Sequence, residues 1–298
     1  MDIAIQVLEI VAPVFLLGLV GFGWVKGGHE YRVDFVTRMC FSIALPALLF
    51  TALANAELDP DAFARLAGAS LLAYLAAGFG LWILLRLSGL SSRTWLAPLT
   101  FGNTGNVGLP LAMFAFGDEG LAQAAVIFAV MACLSFTVGV WIVSGGGSPK
   151  EAAKQPIFYG AAFGLIFALM DWELPLFLMR SLELAGQMAI PLMLVTLGVS
   201  VARLTVKGVG PAIVLSVLRI GVCGVAGWGA AQALGVDLSG SHALVLQMIM
   251  PVAVTSYLMA ERYAAEPERV AGAVVVSTLV AVLTIPLALA LMLPDAGF

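Results

Sequence analysis

Residues 100–110 read Thr100-Phe101-Gly102-Asn103-Thr104-Gly105-Asn106-Val107-Gly108-Leu109-Pro110, in the middle of a long apolar run. Glycine weakens a helix interior by about 1 kcal/mol and proline by about 3. Proline also frees a backbone carbonyl, and inside a lipid bilayer an unsatisfied polar group costs several kcal/mol. The stretch therefore predicts a helix broken where it lines a polar cavity. A half-helix starting there presents unpaired N–H groups and the positive end of its dipole, which suit a carboxylate. Asn103 and Asn106 lie three apart, on one face wherever helix persists, and each amide both donates and accepts. Close helix packing through small residues, with asparagine as interhelical glue, is the competing reading of the same cluster.

The flanking sequence makes this a membrane problem. Apolar residues are 61% of the 298 and charged ones only 11%, whereas a soluble domain runs near half and about a quarter. A bilayer core takes about 20 apolar residues as helix. On that length, candidate spans fall at 4–25, 35–55, 64–87, 94–116, 120–143, 156–172, 177–201, 210–234, 242–262 and 270–293. The first carries Asp2 and Glu9 early and no basic segment ahead of it, which reads as a retained span rather than a cleaved signal.

Charge sorting tests the count, because basic residues are held on the cytoplasmic side of short loops. Lys26, Arg32 and Arg38, then Arg86 and Arg93, Lys150 and Lys154, Arg203 and Lys207, and Arg262 and Arg269 fall on alternate loops. The other loops hold Arg65 and Arg180 against Glu57, Asp59, Asp61, Asp118, Glu119, Asp171, Glu173, Asp237 and Asp295. This alternation predicts ten spans with both termini outside.

Ala44-Leu45-Pro46-Ala47-Leu48-Leu49-Phe50-Thr51 in span two matches Ala189-Ile190-Pro191-Leu192-Met193-Leu194-Val195-Thr196 in span seven at the Ala, Pro and Thr positions. The hydrophilic stretch 144–155 separates the halves 1–143 and 156–298. Five spans per half invert the second relative to the first, a plan that carriers with a midplane site use. At the equivalent place in span nine, Gln247-Met248-Ile249-Met250-Pro251-Val252-Ala253-Val254-Thr255-Ser256-Tyr257 again carries a mid-span proline among polar residues. Paired interrupted spans are the best pointer in a sequence to a carrier's site.

The remaining chemistry is sparse. Cys40, Cys133 and Cys223 sit in separate apolar runs, as small core residues would. His29 and His242 fall in expected loops without ligand partners, so no metal or cofactor is expected, nor any nucleic-acid partner. Neither HExxH nor GxSxG occurs, which argues against an enzyme. The interrupted stretches 100–110 and 247–257 hold no Asp or Glu, unlike a cation-exchanging carboxylate pair. Arg180 and Glu183 read as interfacial. Arg219 lies nine residues into span eight, where an arginine either snorkels to the interface or acts as an anion attractor.

The run Phe101 to Leu111, followed by Phe116-Gly117, resembles the span-four signature of the auxin efflux carrier family, as found in its bacterial members. Leu197-Gly198-Val199-Ser200 after Pro191, Met250-Pro251-Val252-Ala253, Tyr263, Ser277-Thr278 and Pro286 are similar to its C-terminal half. The resemblance implies an all-α polytopic protein of a bacterial inner membrane, with helices four and nine broken and crossed. Spans one, two, six and seven would form a scaffold, a homodimer in the family's manner, and spans three to five and eight to ten a transport domain moving as an elevator. The implied substrate is a small carboxylate. Its site would comprise Asn103, Thr104, Gly105, Asn106, Pro110, Gln247, Met250, Pro251, Val252 and Thr255, with Pro46 and Pro191 lining it from the scaffold. A sodium-coupled symporter of the bile-acid type shares the plan and is the alternative.

Overall fold

The structure, a computed structural model, describes residues 3–56, 59–146, 156–204 and 209–293. Its helices are α1 (Ile3–Lys26), α2 (Val33–Met39), α3 (Leu45–Ala54), α4 (Pro60–Leu87), α5 (Ser92–Thr100), α6 (Leu109–Leu134) and α7 (Val140–Ser144). The second half supplies α8 (Pro156–Leu169), α9 (Leu176–Gln187), α10 (Ala189–Arg203), α11 (Val209–Ala233), α12 (Leu238–Met248), α13 (Val254–Arg262) and α14 (Pro267–Met292). Short π-helical segments at Cys40–Ala44, Thr104–Gly108 and Ser135–Gly139 join neighbouring helices. No strand occurs among the described residues.

Seven described stretches are long and apolar enough to cross a membrane: Ile3–Lys26, Val33–Ala54, Pro60–Leu87, Thr104–Ser144, Leu176–Arg203, Gly210–Ala233 and Pro267–Met292. Three features account for the difference from the ten expected. Spans four and five run together in Thr104–Ser144, divided only at Gly117, whose φ of 67° takes the left-handed conformation that suits glycine. Span six is the 14-residue α8. Span nine is split into α12 and α13, of 11 and 9 residues.

Other expectations shift in detail. His242 lies within α12 rather than in a loop. Cys40 and Cys223 are buried, but Cys133 is exposed. Of the 144–155 linker only 144–146 is described; Lys150, Lys154, Glu57, Lys207 and Asp295 also lie outside the described residues.

The matching octapeptides take matching conformations. Pro46 stands at the start of α3, directly after the π-helical turn, and Pro191 in the first turn of α10. A helix start is where a missing N–H does least harm. Thr51 Oγ1 donates to the Ala47 carbonyl at 3.0 Å and Thr196 Oγ1 to the Leu192 carbonyl at 2.6 Å. Their packing is reciprocal too: α3 lies against α8, and α10 against α1.

Glycines permit these close approaches. A Cβ at Gly198 would strike the Gly18 carbonyl, and one at Gly21 the Val195 carbonyl, so α1 and α10 touch backbone to backbone. Gly160 and Gly164 of α8 meet Pro46 and Phe50 in the same way.

The loops are also sorted. Arg203 donates to the Tyr31 carbonyl at 2.6 Å, and Arg93 to Val143 and Tyr263 carbonyls at 3.0 and 2.6 Å. Arg38 and Arg262 line one cavity. The basic loops between odd and even spans thus cluster together. Elsewhere, Glu119 accepts from Gln123 and from Ser239 at 3.0 and 3.2 Å, tying two acidic loops.

Overpacking a tight contact typically costs about 1–3 kcal/mol. Gly198→Ala is expected to lower the melting temperature of purified protein by several degrees, whereas Gly18→Ala, with nothing near its Cβ, leaves it unchanged.

Candidate functional site

The two interrupted stretches meet. α5 ends at Thr100 and the chain continues extended, Phe101 having φ −99° and ψ 105°. α12 ends at Met248, and Ala253, just before α13, is extended with φ −69° and ψ 141°. Gly102 and Val252 form an antiparallel bridge, in which the Asn103 N–H donates to the Pro251 carbonyl at 2.7 Å. The Val252 N–H donates to Ser277 Oγ at 2.9 Å. Backbone groups that the broken helices leave behind are thus satisfied across the gap, as a low-dielectric interior demands. Pro251 sits where no N–H is needed, and Pro110 at the second residue of α6.

Each chain then resumes as helix. The Asn103 carbonyl accepts from Val107 and Gly108, both at 3.1 Å, at the head of the Thr104–Gly108 turn. Both resuming segments, at Thr104 and Val254, start at this junction. Their positive ends therefore point into it.

Side chains here are deeply buried and unmatched. Asn103 is 4% exposed and Gln247 0%. Asn103 Nδ2, Thr104 Oγ1, Thr100 Oγ1 and both polar atoms of Gln247 have no hydrogen-bond partner among the described residues. Buried polar groups are normally paired, and each orphan costs about 1–3 kcal/mol. Such a concentration of unmatched polar groups sets the junction apart from the apolar packing around it.

Three cavities trace a path to it. One of about 40 Å³ is lined by Asn103, Asn106, Ser135, Thr255 and Ser256. A second, of about 30 Å³, adds Thr37, Thr196 and Ser200 around Asn106 and Thr255. The third, about 510 Å³, runs from Thr255 past Phe41 to Arg38, Arg262 and Asp34. The small cavities hold little more than a water each, so the junction is closed, beside an open vestibule bearing Arg38 and Arg262. Tyr31, in the loop beside the vestibule, shares a 2.7 Å hydrogen bond with Thr196. Burial pushes its phenol above the usual range, against the lowering effect of the Thr196 bond, so it stays protonated at neutral pH.

The sequence-derived residues divide accordingly. Asn103, Gly105, Asn106 and Thr255 line the small cavities. Thr104, Met250 and Val252 are buried at the junction. Gln247 packs on the far side of the Thr104–Gly108 turn, where a Cβ at Gly108 would strike it. Pro251 faces a wholly apolar cavity with Val107 and Leu197. Pro46 and Pro191 are not among the lining residues of these cavities: Pro46 packs against Gly160 and Pro191 is exposed. The facing wall is instead Phe41, Met193, Thr196 and Ser200. In the sequence Thr196 figures only in the octapeptide match and Ser200 only in the family resemblance, neither as a lining residue, although the two share a face of α10 one turn apart.

The profile of the family described as "Membrane transport protein" matches residues 6–149 and 143–289. The chain belongs to this family, that of the auxin efflux carriers. A transporter of Methanocaldococcus jannaschii is 24% identical over 94% of this chain and 97% of its own. One from Methanothermobacter thermautotrophicus is 27% identical over 94% and 96%. A Rhizobium meliloti protein named "Putative malonate transporter" is 25% identical over 94% of each chain. The chain is a membrane transport protein, not an enzyme.

Gly108→Ala should jam its methyl against Gln247, at about 1–3 kcal/mol, and lower the melting temperature. The double variant Gly108→Ala/Gln247→Ala, which removes the clash, should regain most of that loss. Equal melting of the two would contradict the packing.

Proposed function

We propose that this protein is a secondary transporter that carries a small carboxylate through the junction of its two broken spans. The observation that carries the proposal is the meeting of two interruptions at the Asn103–Pro251 hydrogen bond, beside a cavity lined by Asn103, Asn106 and Thr255. Donor amides and helix N-termini there recognise an anion without placing a cation in contact with it. The Rhizobium relative's name supports a malonate-like acid as the first substrate to test.

In this reading the ten sequence-derived spans form two inverted five-span repeats, and α5–α6 crosses α12–α13. The reciprocal packing of α3 on α8 and α10 on α1 supports the inversion. Those helices, from spans one, two, six and seven, serve as the scaffold and pair in a homodimer. The rest moves as an elevator, carrying the site between a basic, cytoplasmic vestibule and the outside. Thr196 and Ser200 face the site from the scaffold, so sliding would separate them from Asn106. The membrane is the bacterial inner membrane, and both termini lie outside it.

Hydrogen bonds to a charged group contribute about 1.5–3 kcal/mol each. Asn103→Ala/Asn106→Ala should therefore lower malonate uptake into proteoliposomes at least tenfold while the protein elutes as a single folded species. Undiminished uptake would place the site elsewhere. For topology, a C-terminal alkaline phosphatase fusion should be active in cells; an inactive but expressed fusion contradicts termini outside.

A further inference from the structure

One face of α11 runs along the back of the junction. A Cβ at Gly227 would lie 3.1 Å from Met248 Cγ, and one at Gly224 3.4 Å from Ile249 Cγ2. Cys223 Sγ donates towards the Leu99 carbonyl at 3.8 Å. One turn earlier, Arg219 reaches Gly102: a Cβ there would strike its Nη2 and lie 3.0 Å from the Met250 carbonyl oxygen. Residues 219, 223 and 227, four apart, thus follow the ends of α5 and α12 in order.

Arg219 is 1% exposed, which excludes snorkelling to the interface. Its Nε, Nη1 and Nη2 have no hydrogen-bond partner among the described residues, and neither has the buried hydroxyl of nearby Tyr74. A buried cation without compensation is among the costliest arrangements a protein can hold. Compensation is at hand in the backbone. α5 and α12 both end at this junction, and a helix C-terminus carries roughly half a negative charge. Two of them amount to about one elementary charge, which a single guanidinium balances. The positive ends of the resuming segments point to the other side, where Asn103 and Asn106 line the cavity.

We propose that Arg219 is a fixed cation that neutralises the two helix C-termini at the junction, in the position where a carrier of this plan would otherwise need a mobile cation such as sodium. The inference rests on the carrier reading for its consequence: the anion is loaded without a coupling cation. Glycine at 102 follows from it, since any side chain would hold the guanidinium away from the junction.

The test uses purified full-length protein, in detergent for melting and in proteoliposomes for malonate uptake, with sodium, guanidinium or choline as the cation. Wild type is expected to melt and to transport equally in sodium and choline. Arg219→Ala is expected to melt lower and transport at least tenfold more slowly in choline, and to recover a measurable part of both in guanidinium or sodium. Arg219→Met, which fills the same space without charge, is expected to lose transport and recover in neither. Wild-type uptake that requires sodium overturns the proposal. So does Arg219→Met behaving as wild type, or Arg219→Ala responding to neither cation. If Arg219→Ala does not fold, Arg219→Lys decides: sodium-independent uptake, even if slow, supports a fixed charge, and sodium-dependent uptake overturns it. If wild type moves no carboxylate at all, the carrier reading fails, while the cation dependence of melting still decides the role of Arg219.

Discussion

An amide that leaves a helix inside a membrane must find another partner, and the Asn103 N–H finds the Pro251 carbonyl at 2.7 Å. That bond lets the chain stay extended at two places that meet within an otherwise helical protein. Break either stretch and the partner's backbone groups are stranded in a low-dielectric interior. Seal both into continuous helix and no dipole ends would remain at this depth. The polarity of the junction is therefore a backbone property first, to which the Asn103, Asn106 and Thr255 side chains lining the adjoining cavity add.

The surrounding structure reads as support for that arrangement. Ser277 holds the second stretch through the Val252 N–H. α11 covers the back with small residues and with Arg219, while the front opens past Thr255 to a vestibule bearing Arg38 and Arg262. Backbone-tight contacts at Gly18–Gly198 and Gly160–Pro46 lock α1 to α10 and α8 to α3.

The positions of both interruptions were legible because glycines, asparagines and a proline crowd together at 102–110 and Pro251 stands among polar residues; an isolated proline breaks nothing in α1 or α14, which run on through Pro13 and Pro286. Pro46 and Pro191, matched in the sequence, each stand in the first turn of a helix. Their facing was not legible. A repeat offset says which residues correspond, not which side of a helix meets the cavity, and the lining fell to Thr196 and Ser200. The ten candidate spans were read on apolar length and tested by charge alternation; the structure has seven stretches long and apolar enough to cross a membrane, α8 and the two halves of span nine each being too short. Arg219 was ambiguous because depth along a span does not reveal orientation. Only the packing of Cys223, Gly224 and Gly227 against the ends of α5 and α12 shows that its face of α11 turns inward.

The most direct measurement is an experimental density map of the protein in a lipid nanodisc with saturating malonate. The account predicts non-helical chain at residues 101–103 and 250–253, with ligand density between the Asn103 and Asn106 side chains and the start of the helix at Val254. Unbroken helices through either stretch, or malonate bound away from both, would contradict it.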